Sequence, residues 1–106
     1  MTDSEFEDLT DATLDRFEVA LEASGVDADV QSKSGGVLEI EFDNGTKMVI
    51  NRNAALRELW VAAKSGGFHY RWDGAAWRDS RDGSELFAAL SRFVSAQSGR
   101  GVVLRS

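Results

Sequence analysis

The chain has 106 residues, of which 42% are hydrophobic, and a formal net charge of −6, so it is long enough for one domain around a single core. It contains no cysteine, which excludes disulfides, thiolate metal sites and a cysteine nucleophile; any metal must be bound by oxygen ligands or by the single histidine, His69. Neither an apolar run of membrane-spanning length nor a secretion signal after Met1 is present, so we expect a cytoplasmic protein that does not bind membranes.

The N-terminal segment is predicted to form an acidic amphipathic helix over residues 4–24, which Gly25 ends in the left-handed conformation. Six of its acids are spaced three or four residues apart, and at about 100° per residue they fall within a band roughly 120° wide. Phe6, Leu9 and Phe17 lie on the opposite side. These six acids, which we call the acidic ridge, are Asp3, Glu7, Asp11, Asp15, Glu18 and Glu22.

The charge of the chain is divided unevenly. Residues 1–29 hold ten acids and one base, whereas residues 30–106 hold eight acids and eleven bases. Like charges three or four apart on a helix repel, and five such pairs along the ridge would cost on the order of 1–2.5 kcal/mol at low salt. The ridge is therefore either a solubilising surface, a cation site or a docking site for a basic partner, and it argues against nucleic acid as a partner.

The middle of the chain is predicted to contain an antiparallel hairpin. After a short strand at 28–33 and a turn at 34–36, residues 37–43 alternate apolar and polar side chains. A three-residue loop, 43–45, with Gly45 in a bulge, keeps this alternation in phase with the next strand. It places Glu41 opposite Lys47 and sets Phe42, Ile40 and Leu38 opposite Thr46, Met48 and Ile50.

Residues 54–64 are ambiguous, because their composition favours a helix and the alternation of Leu59 and Val61 with Trp60 also permits a strand. A second hairpin is predicted to follow. Aromatic and polar side chains alternate along its first strand, residues 68–72, Asp73 and Gly74 form the turn, and Trp77 lies on the short returning strand.

The last predicted element is a helix that starts at Asp82 as N-cap, with Glu85 in the capping box, and ends at Gly99. Leu86, Phe87, Leu90, Phe93 and Val94 form its apolar stripe. The predicted fold class is α+β, a single domain over residues 1–106 in which two terminal helices pack on one face of a five- or six-stranded antiparallel sheet.

Signals of enzymatic chemistry are missing: the sequence shows no paired nucleophile and base, phosphate-binding glycine loop or histidine pair, so we expect no enzyme. Trp60, if it lies on a strand, faces outward and is a candidate interface anchor. Trp72 and Trp77 are interpreted as packing residues. His69, without a second strong ligand nearby, is expected to form surface hydrogen bonds rather than bind metal.

Eight short motifs, in their order and spacing, resemble the frataxin family and in particular its bacterial branch. The motifs are Asp3-Ser4-Glu5-Phe6, Gly36-Val37-Leu38, Phe42-Asp43-Asn44-Gly45-Thr46-Lys47, Ile50-Asn51-Arg52, Leu59-Trp60, Gly66-Gly67-Phe68-His69-Tyr70, Gly74 with Trp77, and Asp82-Gly83. The resemblance implies a frataxin-like α/β sandwich in which residues 56–62 form a strand. It also implies an iron-binding regulator or iron chaperone of iron–sulfur cluster assembly, whose partners are the cysteine desulfurase and the iron–sulfur scaffold protein.

Carboxylates bind hard cations without strong selection, so we expect weak, salt-sensitive binding of ferrous or ferric iron, for which other divalent cations can substitute. The expected metal ligands are the acidic ridge with Asp27 and Asp29, and the expected partner-binding residues are Glu18, Glu22, Asn51, Trp60, His69 and Arg71. We expect a monomer, with metal-driven oligomers as an open alternative. The alternative functions are an interaction module of the assembly complex with incidental metal binding, and a weak ferroxidase.

Overall fold

The computed structural model describes residues 1–105 and contains two helices and six strands. The elements are α1 (Asp3–Ala23), β1 (Ala28–Lys33), β2 (Val37–Phe42), β3 (Lys47–Asn53), β4 (Glu58–Ala63), β5 (Gly66–Trp72), β6 (Trp77–Asp79) and α2 (Leu86–Ser98). The strands form one antiparallel sheet in chain order. Both helices contribute buried side chains to the core on one face of this sheet, which confirms the predicted fold class.

Helix α1 begins and ends one residue earlier than the predicted 4–24. Thr2 is the N-cap and forms a capping box with Glu5, in which the two reciprocal hydrogen bonds measure 2.8 and 3.1 Å. At the other end the chain leaves the helix through Gly25, whose φ of 77° lies in the left-handed region. The helix turns Phe6, Leu14 and other apolar side chains into the core, so the charged face lies outside.

The β2–β3 hairpin has the predicted register, with Glu41 opposite Lys47 and Ile40 opposite Met48. The hairpin closes between Phe42 and Thr46, where the backbone N–H of Phe42 donates to the Thr46 carbonyl at 2.9 Å. The intervening loop has three residues, and Gly45 has a φ of 85°. The alternation of apolar side chains was therefore sufficient to fix both the loop length and the pairing.

The ambiguous segment forms strand β4, preceded by a turn over residues 54–57. Leu59 and Val61 are fully buried against the helices, whereas Trp60 between them faces the other side of the sheet. A helix would separate Leu59 and Val61 by about 200°, so it could not bury both on one narrow face. Packing thus overrides helix propensity here, and the strand implied for residues 56–62 starts two residues later.

The start of α2 differs from the prediction. Glu85, not Asp82, is the N-cap, because its carboxylate accepts the backbone N–H groups of Phe87 and Ala88 at 2.7 and 3.1 Å. Asp82 instead accepts the N–H of Ser84 at 2.9 Å, within the turn before the helix. A β-bridge between Arg78 and Glu85 holds residue 85 extended, so the helix cannot start earlier. The end at Gly99, with a φ of 74°, is confirmed.

Two further features close the core. Val102 and Leu104, in the C-terminal segment, are buried. Their backbone N–H groups donate to the hydroxyls of Ser95 and Ser91, and the Ser95 hydroxyl donates to the Val102 carbonyl, so that segment is held along α2. Gln97 is also buried; its side chain accepts from the Lys64 N–H at 3.0 Å and donates to the Lys47 carbonyl at 3.1 Å. These bonds connect α2 to the start of β3 and to the turn between β4 and β5. None of the helices within residues 1–105 is both long and apolar enough to cross a membrane.

Candidate functional site: the acidic ridge and the outer sheet face

The acidic ridge lies on the exposed side of α1. Its acids are exposed except for Glu18, which is half-buried. Asp27 follows the helix and is also exposed. Asp29 differs, because on edge strand β1 it lies opposite Glu41 and therefore on the sheet face that points away from the helices. The eight expected metal ligands thus occupy two surfaces rather than one.

Two ridge acids have arginine counter-ions that come from distant parts of the chain. Arg52 on β3 donates to Asp11 at 2.8 Å and to the Thr10 hydroxyl at 3.1 Å. Arg57, in the turn before β4, forms an ion pair with Asp3. The ridge is therefore partly neutralised towards its N-terminal end.

The remaining four ridge acids have no ion-pair partner among residues 1–105, and three of them are consecutive in the ridge: Asp15, Glu18 and Glu22. Glu18 and Glu22 also border a groove of about 240 Å³ between α1 and β1, whose floor includes Leu21 and Val30. Uncompensated negative charge is thus concentrated on the C-terminal half of α1. We call these three residues the free ridge acids.

The donor set of the ridge suits a weakly held hard cation. Within the described part of the chain, no three histidine, aspartate or glutamate side chains lie close enough together to hold a metal ion. Neighbours at three- or four-residue spacing on a helix have Cβ atoms about 5–6 Å apart, so two carboxylates can share one ion. Water would complete the coordination of iron or another hard cation bound in this way.

The outer sheet face brings together four of the six expected partner-binding residues, of which Arg71 lies two residues after His69 on β5. Asn51, Trp60 and His69 lie side by side on β3, β4 and β5. The Trp60 and His69 rings stack, with centroids 4.4 Å apart and planes inclined by 7°. Trp60 faces outward as predicted, but it is half-buried because its neighbours cover it. His69 also approaches the Glu58 carboxylate, with Nδ1 at 3.6 Å, and its surface hydrogen bonds stay a prediction.

Glu58, which is not among the predicted site residues, lies on this face at the start of β4. It is only 4% exposed although it lies on the outer face. Its carboxylate accepts from Trp60 Nε1 at 2.8 Å and from Arg71 Nε at 2.7 Å, and His69 Nδ1 is 3.6 Å away. Glu58 stands two residues before Trp60 in the sequence. In a strand this spacing places both side chains on the same face, so it becomes informative only once residues 58–63 are known to form a strand.

The ionisation of Glu58 depends on these contacts. Burial opposes the charged form, but the hydrogen bonds from Arg71 and Trp60 outweigh it, and the pKa of Glu58 lies below its usual value. A lowered pKa means that the ionised carboxylate stabilises the folded state at neutral pH. That stabilisation is lost as the pH falls below about 4.3 and through the folded-state pKa.

The other two tryptophans pack as predicted. Trp77 is 2% exposed, and its indole N–H donates to the Thr13 hydroxyl on α1 at 3.0 Å. Its ring contacts Phe6 and Trp72 edge-on, with centroids 6.2 and 5.5 Å away. Trp72 is half-buried against the core. Neither belongs to the outer sheet face.

Comparisons with known proteins agree with this architecture. The family model of the Frataxin-like domain matches residues 1–100. The chain is 51% identical to the iron–sulfur cluster assembly protein CyaY of Dechloromonas aromatica, covering 99% of this chain and 100% of that protein. It is 57% identical to the CyaY protein of Herminiimonas arsenicoxydans, covering 99% and 97%.

Solved structures show the same fold. The frataxin of Psychromonas ingrahamii superposes with a TM-score of 0.91 at 36% identity, covering all of both chains. Trimeric frataxin of Saccharomyces cerevisiae, in complex with ferrous iron, superposes with a TM-score of 0.69 at 27% identity, covering 91% of this chain and 87% of that one. The resemblance seen in the sequence motifs is confirmed: this chain belongs to the frataxin family.

Proposed function

We propose that this protein is a non-enzymatic, iron-binding regulator or iron chaperone of iron–sulfur cluster assembly in the bacterial cytoplasm. Its relatives from Dechloromonas and Herminiimonas are iron–sulfur cluster assembly proteins, and the yeast frataxin of the same fold binds ferrous iron. The observation that carries the proposal is the run of free ridge acids, Asp15, Glu18 and Glu22, for which the fold supplies no counter-ion within residues 1–105.

Iron is the cargo of this surface in our proposal. One or two carboxylates would hold each ion while water fills the other coordination positions, so binding is weak, multiple and sensitive to salt. The same oxygen ligands accept manganese, magnesium or calcium. The free ridge acids bind iron more strongly than Asp3 and Asp11, because arginines already neutralise those two carboxylates.

Two surfaces would engage the assembly machinery. The ridge, through Glu18 and Glu22, docks on a basic surface of the cysteine desulfurase, where opposite charges speed association and set its orientation. The outer sheet face, through Asn51, Trp60, His69 and Arg71, contacts the scaffold protein. Because iron lowers the negative charge of the ridge, iron and the desulfurase weaken each other's binding by the same factor.

An NMR titration with ferrous iron under anaerobic conditions tests the iron site. We expect paramagnetic broadening of backbone amides within residues 3–29, strongest around Asp15 to Glu22 and weaker near the arginine-paired Asp3 and Asp11. Titration with manganese should broaden the same amides. No broadening in residues 3–29 would contradict the proposal.

Matched variants make this titration specific. The ridge variant Asp15→Asn/Glu18→Gln/Glu22→Gln should lose the strongest broadening. The control variant Asp43→Asn/Asp73→Asn/Asp82→Asn removes the same formal charge outside the ridge and should keep it. Equal losses in the two variants would show that net charge, rather than a ridge site, attracts the ion.

A further inference from the structure

We propose that Glu58 is a positioning residue for the outer sheet face, holding the Trp60 indole and the Arg71 guanidinium in the orientation that a docking protein meets. This inference rests on the proposed function of that face, and it adds a residue that makes no direct contact with the partner. The Glu58 carboxylate is buried although it lies on the solvent side of the sheet, and it receives hydrogen bonds from both of these side chains.

A carboxylate is rarely buried unless it is paired and fully hydrogen-bonded. Glu58 is 4% exposed because the side chains that it binds also cover it. Each of its oxygens receives one charge-assisted hydrogen bond, Oε1 from Trp60 Nε1 at 2.8 Å and Oε2 from Arg71 Nε at 2.7 Å. Rotation of either side chain away from this arrangement leaves one oxygen of the buried carboxylate without its hydrogen-bond donor, which is unfavourable.

The indole of Trp60 is fixed by two contacts. Its N–H is bound to Glu58, and one face of its ring lies against His69 with the planes inclined by only 7°. Asn51 flanks Trp60 on the opposite neighbouring strand. The ring therefore stands between neighbouring strands in a single orientation instead of sampling several rotamers.

The guanidinium of Arg71 is fixed on its inner side only. Glu58 engages Nε, while the side chain as a whole is 64% exposed. The outer Nη groups remain available to a carboxylate on another protein. Tryptophan and arginine are the residue types that most often dominate binding energy, and fixing them in advance lowers the entropy lost on docking. We therefore expect the partner protein to present an apolar patch that contacts Trp60, next to a carboxylate that binds Arg71.

NMR of the free protein tests the positioning. In Glu58→Leu we expect the Trp60 indole N–H to exchange with solvent about tenfold faster or more, and its resonance to shift, because its acceptor is lost. Glu58→Gln keeps an acceptor and should restore slow exchange. The Trp77 indole, bound to Thr13, is an internal reference that should not change. An unchanged Trp60 indole in Glu58→Leu would overturn the inference.

Binding to the assembled desulfurase and scaffold tests the consequence. We expect Glu58→Leu to weaken binding about tenfold, Glu58→Gln to weaken it much less, and Glu58→Leu to have no added effect in a Trp60→Ala background. If Trp60→Ala weakens binding and Glu58→Leu does not, positioning is irrelevant to docking and the inference fails. If Trp60→Ala has no effect, docking through this face is itself wrong, whatever the NMR result.

Discussion

Replacing Trp77 with alanine is expected to lower the free energy of unfolding by about 3–5 kcal/mol, a large part of the roughly 5–15 kcal/mol typical of a domain. The indole is 2% exposed and packs edge-on against Phe6 and Trp72, so its removal leaves a cavity in the core. The variant also loses the 3.0 Å hydrogen bond that joins β6 to Thr13 on α1. Urea unfolding followed by circular dichroism measures the change.

The matched control is Trp60→Arg on the outer sheet face. Trp60 is half-buried and contributes one hydrogen bond and one stacking contact, so we expect a loss of about 1–2 kcal/mol and a protein that remains folded. Its binding to the assembly partners should nevertheless weaken. A loss near 4 kcal/mol for Trp60→Arg, or less than about 1 kcal/mol for Trp77→Ala, would contradict the assignment of one tryptophan to the surface and the other to the core.

Neutralising the free ridge acids in Asp15→Asn/Glu18→Gln/Glu22→Gln is expected to change function and stability in opposite directions. Stability at low salt should rise by about 0.2–0.5 kcal/mol for each repulsive pair removed. Affinity for the cysteine desulfurase should fall about tenfold or more, and the difference from the wild type should shrink as salt screens the interaction.

The control for this prediction is Asp43→Asn/Asp73→Asn/Asp82→Asn, which has the same net charge as the ridge variant. It should bind the desulfurase nearly as well as the wild type. If both variants weaken binding equally, docking depends on overall charge and not on the C-terminal half of α1.

Local sequence patterns were enough to predict helix α1 and the β2–β3 hairpin, because neighbouring residues determine the geometry of both. The three- to four-residue spacing of acids and the opposite apolar residues gave α1, and the glycine after it marked its end. Alternation along residues 37–43 was enough to choose a three-residue over a two-residue loop in the β2–β3 hairpin, because the two-residue loop puts Phe42 out of phase.

Long-range packing decided what these patterns could not. Strand β4 forms because β3 and β5 pair with it on both sides, against the helical preference of its residues. The N-cap of α2 moved from Asp82 to Glu85 because a bridge to Arg78 holds residue 85 extended. Both the choice of strand for β4 and the corrected N-cap of α2 depend on strand neighbours that no short window of sequence contains.

In the candidate site, too, local sequence predicted some features and long-range packing determined the others. The position of the acids on one helix face was predictable, but the arginines that neutralise Asp3 and Asp11 come from positions 54 and 41 residues away. Glu58 was missed for a related reason, since its burial on the outer face requires Trp60 and Arg71 to fold over it. The sequence therefore indicated where the acidic side chains are concentrated. The fold shows which of them are paired with an arginine.

We propose that one acidic surface serves both iron and the desulfurase. The most direct test is the affinity of the wild-type protein for the cysteine desulfurase, measured anaerobically with and without ferrous iron at fixed ionic strength, alongside the ridge variant. We predict that iron weakens docking of the wild type and has much less effect on the ridge variant. An affinity that does not change with iron would contradict this account and leave an interaction module with incidental metal binding.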